Sequence, residues 1–163
     1  MGGGRGEGSR QERARHAVLL AGGATHVAFL GWPEGSGAGD DRRRGWRDAL
    51  GSRGALDPVS IDALDLAVED SVPLASAAVR AVLDAGVAVD AVVCASDTLA
   101  LGASVVLGSS VPVVGYDDTP VASALGLSSV EQPLVEVAGA VLSLLLDDSE
   151  PRHRLLRPRT IWR

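Results

Sequence analysis

Apolar and polar positions alternate along this chain in blocks rather than residue by residue. Short runs of Val, Ala and Leu are followed by polar or Gly-rich joints, then by longer stretches with helical spacing. The stretch Val89 to Asp118, VDAVVCASDTLALGASVVLGSSVPVVGYDD, shows the block most fully. Val89–Ala95 is a short, β-branched run and predicts a buried strand. Ser96–Asp97–Thr98 supplies N-cap chemistry for a helix over Leu99–Leu107, which Gly108–Ser109–Ser110 ends. Val111–Gly115 predicts a second strand, stopped by Tyr116–Asp117–Asp118. A β-α-β unit of this kind is parallel and right-handed. It brings the C-terminal ends of both strands to one edge, where open α/β sheets bind ligands. Ser96–Asp97 and Asp117–Asp118 fall at that edge.

The same block recurs along the chain. Met1–Ser9 has the composition of a flexible tail. Arg10–Leu20 predicts a helix with Ala14, Ala17 and Val18 on one face, ended by Gly22–Gly23. Thr25–Gly31 predicts a strand, Trp32–Asp41 a Gly-rich loop, and Arg42–Leu50 a helix capped by Asp40 or Asp41. Val59–Val68 suits either a weak strand or a helical turn. Pro73–Asp84 predicts a helix with Pro in its first turn and Gly86 beyond its end. Thr119–Ser129 reads as loop, Val130–Gln132 as a lead-in, and Pro133–Leu146 as a strongly apolar helix that needs burial on more than one side. Arg154–Trp162 alternates as a terminal strand. Strands alternating with helices predict an α/β fold with a doubly wound parallel sheet.

Composition narrows the chemistry. The 163 residues suffice for one domain, 46% of them hydrophobic but only 3% aromatic, so the core is built from Ala, Val and Leu. All fifteen basic residues are Arg, and lysine is absent. The net charge of −6 argues against a general nucleic-acid-binding surface. Cys94 lies inside a predicted strand and reads as a buried apolar residue rather than a nucleophile. No cluster has zinc spacing, and no cofactor or metal is expected. No signal peptide and no membrane span is evident, so a cytoplasmic protein without membrane contact is expected.

Candidate site residues come from the strand ends. The loop Gly31–Asp41 lacks the Lys of a Walker A motif, and Gly35, Gly37 and Gly39 lack Rossmann spacing. Arg43 and Arg44 read as a solvated face. Arg42, nearest the strand edge, has a planar fork suited to bidentate bonding of hydroxyls or a carboxylate. A carboxylate opposite it, as at Asp117, suits a polyol. Ser96–Asp97 reads as an N-cap first and a ligand contact second. Trp32, Trp46 and Trp162 read as packing residues, Trp46 as core. His16, His26 and His153 share no site.

AVVCASDTLALGA followed by VPVVGYDDTP resembles the effector-binding domain of the LacI/GalR family of bacterial transcription regulators. So do HVAFLGWPEGSG with DDRRRGWRDAL, and SSVEQPLVEVAGAVLSLLL with LLRPRTIWR. The resemblance spans about Arg10 to Arg163. It implies the type I periplasmic-binding-protein fold, two α/β subdomains with a sugar or purine in the cleft between them. By position, Arg42 and Asp117 resemble the family's effector-contacting Arg and Asp. Ser96 falls where an Asn is usual, and Asp70 or Ser71 falls near another contact position.

The same resemblance implies a chain short of the helix-turn-helix headpiece, the hinge helix and most of the first half of the N-terminal subdomain. The expected division is a tail at 1–9, a C-terminal subdomain at about 26–125, and segments 10–21 and 130–163 that pack toward a missing sheet. The Pro133–Leu146 helix would then fold onto the remaining sheet or associate with another chain. The expected function is sensing of a small-molecule effector, a sugar or nucleoside, without catalysis. A homodimer is compatible with it, and DNA is a partner of full-length relatives rather than of this chain. The alternatives are a metal-dependent hydrolytic enzyme using Asp97, Asp117 and Asp118, and a solute-binding protein of the same fold.

Overall fold

The computed structural model describes residues 23–54, 56–146 and 156–163. The tail and helix expected over 1–20, and the turn expected over 147–152, lie outside the described residues. Strand β1 (Val27–Gly31) leads into helix α1 (Ala38–Arg53), the short helix α2 (Pro58–Ala63) and strand β2 (Asp65–Ala67). Helix α3 (Val72–Asp84), strand β3 (Ala91–Cys94), helix α4 (Asp97–Leu107) and strand β4 (Val113–Tyr116) follow. Short helix α5 (Pro120–Ala124), strand β5 (Ser128–Glu131), helix α6 (Leu134–Leu146) and strand β6 (Arg159–Ile161) complete the order.

The six strands form one sheet in the order β2-β1-β3-β4-β5-β6, parallel except for β6, which runs antiparallel to β5. This is the doubly wound α/β sheet expected from the alternation of blocks. The order reverses between β1 and β3, so those two neighbours flank the topological switch point. Helix α1 covers one face: Trp46 is fully buried, stacks on Phe29 at 5.7 Å and donates its indole N–H to Val27 O at 2.9 Å. Helices α3 and α4 cover the other face. They approach closely because Gly102 has no side chain; a Cβ there would lie 2.5 Å from Ala75 Cβ and 2.6 Å from Val72 O.

Several boundaries differ from the sequence reading, each for a local reason. Helix α1 begins at Ala38 rather than Arg42, because neither Asp40 nor Asp41 is its cap. Asp40 sits inside the first turn and reaches back to accept from the N–H groups of Gly37 at 2.9 Å and Gly35 at 3.1 Å. Val59–Val68 is both of its alternatives in series, a helical turn capped by Asp57 and then a strand. The expected loop Thr119–Ser129 contains α5, capped by the Thr119 hydroxyl, which is too short to show periodicity. Arg43 is not solvated: it pairs with Asp65 at 2.9 Å and donates to Trp32 O at 2.7 Å.

Residues after 126 add two strands to this same sheet, β5 along β4 and β6 along β5. They therefore extend the sheet rather than standing apart from it. Helix α6 does not fold onto the sheet. Of its thirteen residues Ala140 is buried, while Val135 is 85% exposed and Leu145 75% exposed. No described helix is long and apolar enough to cross a membrane.

Candidate functional site

The C-terminal edge of the parallel strands gathers the polar side chains. Just past β1, the indole N–H of Trp32 donates to Asp70 Oδ1 at 3.1 Å. Just past β3, the Ser96 hydroxyl donates to the same oxygen at 2.5 Å. Asp70, in the loop after β2, thus ties three strand ends together across the switch point. Its carboxylate remains exposed to solvent. Ser96 is only 4% exposed and also caps α4, its Oγ accepting from Leu99 N at 3.2 Å. The structure places Ser96 behind Asp70.

Arg42 reaches the same edge from the first turns of α1. Its Nη1 donates to Ala95 O at 2.6 Å, beside Ser96. Its guanidinium lies 3.6 Å from the centre of the Tyr116 ring and 5.4 Å from that of Trp32, a charge held over two aromatic faces.

Asp117 closes the site at the end of β4. It holds φ of 103° and Asp118 holds 49°, left-handed values that favour glycine. The neighbouring hydrogen bonds enforce this bend. Asp117 N donates to Val130 O at 2.9 Å, Asp118 N to Ser129 Oγ at 3.0 Å, and Thr119 N to Asp97 Oδ2 at 2.6 Å. Three successive amides are fastened, and the Asp117 carboxylate is presented to Gln132, whose Nε2 donates to it at 2.5 Å.

Asp97 has a different fate from Asp117. It is 5% exposed, and Ser129 Oγ donates to its second oxygen at 2.6 Å. Gly115 leaves room for that carboxylate, since a Cβ there would collide with Asp97 Oδ1. Asp97 therefore acts as a buried clamp between β4, β5 and α4. Asp118 faces Arg163 at 2.7 Å. The three carboxylates of the hydrolase alternative do not converge, and among the described residues no three His, Cys, Asp or Glu side chains could hold a metal. Cys94 is buried; burial first, then the Asp97 carboxylate, pushes its thiol far above the ordinary range.

Of the expected site residues, Arg42, Asp70 and Ser96 share one connected cluster, and Asp117 follows Tyr116 at its border. Sequence reasoning missed three members. Trp32 reads as packing from the sequence, yet its indole N–H serves Asp70. Tyr116 and Gln132 carried no signal beyond lying next to the strand ends. Beyond Tyr116 and Gln132 a cavity of about 250 Å³ opens under α6, lined also by Pro133, Val137, Ala140 and Leu144.

Comparison with known proteins places this geometry. A family model described as periplasmic binding proteins and sugar binding domain of LacI family matches residues 10–135. The HTH-type transcriptional regulator CelR of Thermobifida fusca is 36% identical over 151 residues, covering 86% of this chain and 42% of that protein. A solved structure of a transcriptional regulator CelR–cellobiose complex is 29% identical with a TM-score of 0.77, covering 95% of this chain and 51% of the other. A regulatory protein of LacI family from Chloroflexus aggregans is 26% identical with a TM-score of 0.81, covering 96% of this chain and 60% of the other. The chain thus spans about two fifths of the regulator's length and half to three fifths of the solved chains.

Proposed function

Because the chain belongs to the family of periplasmic binding proteins and LacI-type sugar-binding domains, we propose that it senses a small saccharide for a LacI-type transcription regulator. The observation that carries this reading is the cluster at the switch point. Arg42 offers a planar donor fork, Asp70 and Asp117 offer carboxylate acceptors, and Trp32 and Tyr116 offer aromatic faces. Neutral sugars present alternating donors and acceptors around an apolar ring face, which is the complement of this set. Ser96 acts behind Asp70, fixing its rotamer.

The reading is of binding without catalysis. The carboxylate best shielded from water, Asp97, has both oxygens engaged by the protein and none left for a substrate proton. The named similarity to CelR, and to its complex with cellobiose, makes a β-linked disaccharide the first ligand to try. The net charge of −6 supports a ligand-facing rather than a DNA-facing role for this stretch. Association with a second copy is part of the proposal, since the apolar face of α6 is otherwise bare.

Calorimetry with cellobiose, other disaccharides, monosaccharides and nucleosides tests the reading. Micromolar binding of a saccharide is expected, weakened at least about thirtyfold by Asp117→Ala, which removes a charged acceptor. Binding of no member of the panel, or equal binding by Asp117→Ala and Arg42→Ala, overturns it.

A further inference from the structure

We propose that Tyr116 is the positioning residue for Arg42, fixing the plane of the guanidinium that meets the ligand; the inference rests on the saccharide-binding reading of this edge. Arg42 reaches from α1 across the ends of β1 and β3 on a long side chain with many rotamers. A single hydrogen bond, Nη1 to Ala95 O at 2.6 Å, fixes one point of the guanidinium. It leaves the group free to turn about that bond. A second constraint is needed to set the plane.

Tyr116 supplies it. At 3.6 Å from the ring centre, the guanidinium carbon lies in contact over the ring face, which constrains the group from that side. Trp32 cannot do the same work. Its ring is 5.4 Å away, and its N–H is committed to Asp70. Tyr116 is also well anchored as the last residue of β4, in register with Val130 of β5. With the plane set, Nε and Nη2 of Arg42, which have no hydrogen-bond partner among the described residues, form a fixed pair of in-plane donors. Such a pair matches two neighbouring oxygens on a sugar ring. Because Asp117 follows Tyr116 directly, one strand end presents the acceptor and aligns the donor.

The test uses the full chain and cellobiose as probe, with three substitutions. Tyr116→Phe keeps the ring and should bind within about twofold of wild type, whereas Tyr116→Leu keeps bulk without the ring and should bind about tenfold more weakly. The thermal midpoint of Tyr116→Leu separates misfolding from misalignment and should stay close to that of Tyr116→Phe. In an Arg42→Ala background, Tyr116→Leu should add no further loss. A separate readout needs no ligand. In NMR spectra the Arg42 Nε–H resonance should be displaced by the ring in wild type and Tyr116→Phe, and return to the ordinary position in Tyr116→Leu. If the wild-type chain binds no saccharide, the functional reading fails while this resonance still decides the stacking. An Arg42 resonance indifferent to Tyr116→Leu overturns the inference. So does a Tyr116→Leu loss of affinity that persists undiminished without Arg42.

Discussion

Helices α4 and α6 are similar in length and both strongly apolar, yet one is the centre of the molecule and the other lies open. In α4, Leu99, Ala100, Gly102, Ala103 and Leu107 are buried, and Asp97 is anchored between β4 and β5. In α6 only Ala140 is buried. Apolar content alone therefore does not select a partner. Helix α4 presents small residues where α3 and β4 approach, so backbones come close and side chains interlock. Helix α6 has as many small residues, Ala138, Gly139, Ala140 and Ser143, but of these only Ala140 is buried. What covers each helix, more than its own composition, separates the two.

The sharpest way to break this comparison is to spoil the fit of α4. Gly102→Val places atoms where Ala75 and the Val72 carbonyl already lie, and should cost about 3 kcal/mol or more in urea unfolding. An unchanged midpoint would mean that α3 and α4 are loosely held. Asp97→Ala should follow, costing about 2–3 kcal/mol, because Thr119 N and Ser129 Oγ lose their acceptor in a buried place. A neutral outcome in chemical denaturation would return Asp97 to the list of ligand contacts.

A smaller effect marks the edge of the packed region. Asp90 accepts from the N–H groups of Thr25 and His26 at 2.9 and 2.8 Å, joining the starts of β1 and β3. Burial alone would raise its pKa, but the hydrogen bonds from the two amides and the Thr25 hydroxyl outweigh it and hold the carboxyl below the usual 3.8. A depressed folded value means stability that is full above the unfolded value and lost as pH falls through the folded one. Asp90→Asn should therefore destabilise by about 0.5 kcal/mol at pH 6, a figure kept small by solvent exposure, and by nothing near pH 2. Equal loss at both pH values would assign the effect to shape rather than charge. Smallest of all, Leu142→Ser with Leu145→Ser on α6 should change stability by less than about 0.5 kcal/mol while lowering hydrophobic-dye binding and self-association. A large loss of stability would show that α6 is buried after all.

The contrast also explains what was legible in the sequence. The strands around Val27, Val92 and Val114 were readable because parallel strands buried on both faces are continuous apolar runs. Ser96, Asp97 and Asp117 were readable as strand-end polar residues because the β-α-β rule sends them to one edge. Their division of labour was not readable. Whether a carboxylate is a clamp or a contact depends on neighbours far along the chain, Ser129 for Asp97 and Gln132 for Asp117. Arg43 was misread for the same reason, its partner Asp65 lying 22 residues on. The packing of α6 was unreadable because a helix with apolar residues on every side contains no instruction about which side is covered.

The bend at Asp117 and Asp118 has a consequence for anyone selecting improved versions of this protein. A backbone with φ of 103° rewards replacement of Asp117 by glycine, which relieves the strain. A screen for heat tolerance would favour that change while discarding the carboxylate proposed to accept from the sugar. If Asp117 serves recognition as proposed, selection on durability alone would erode it.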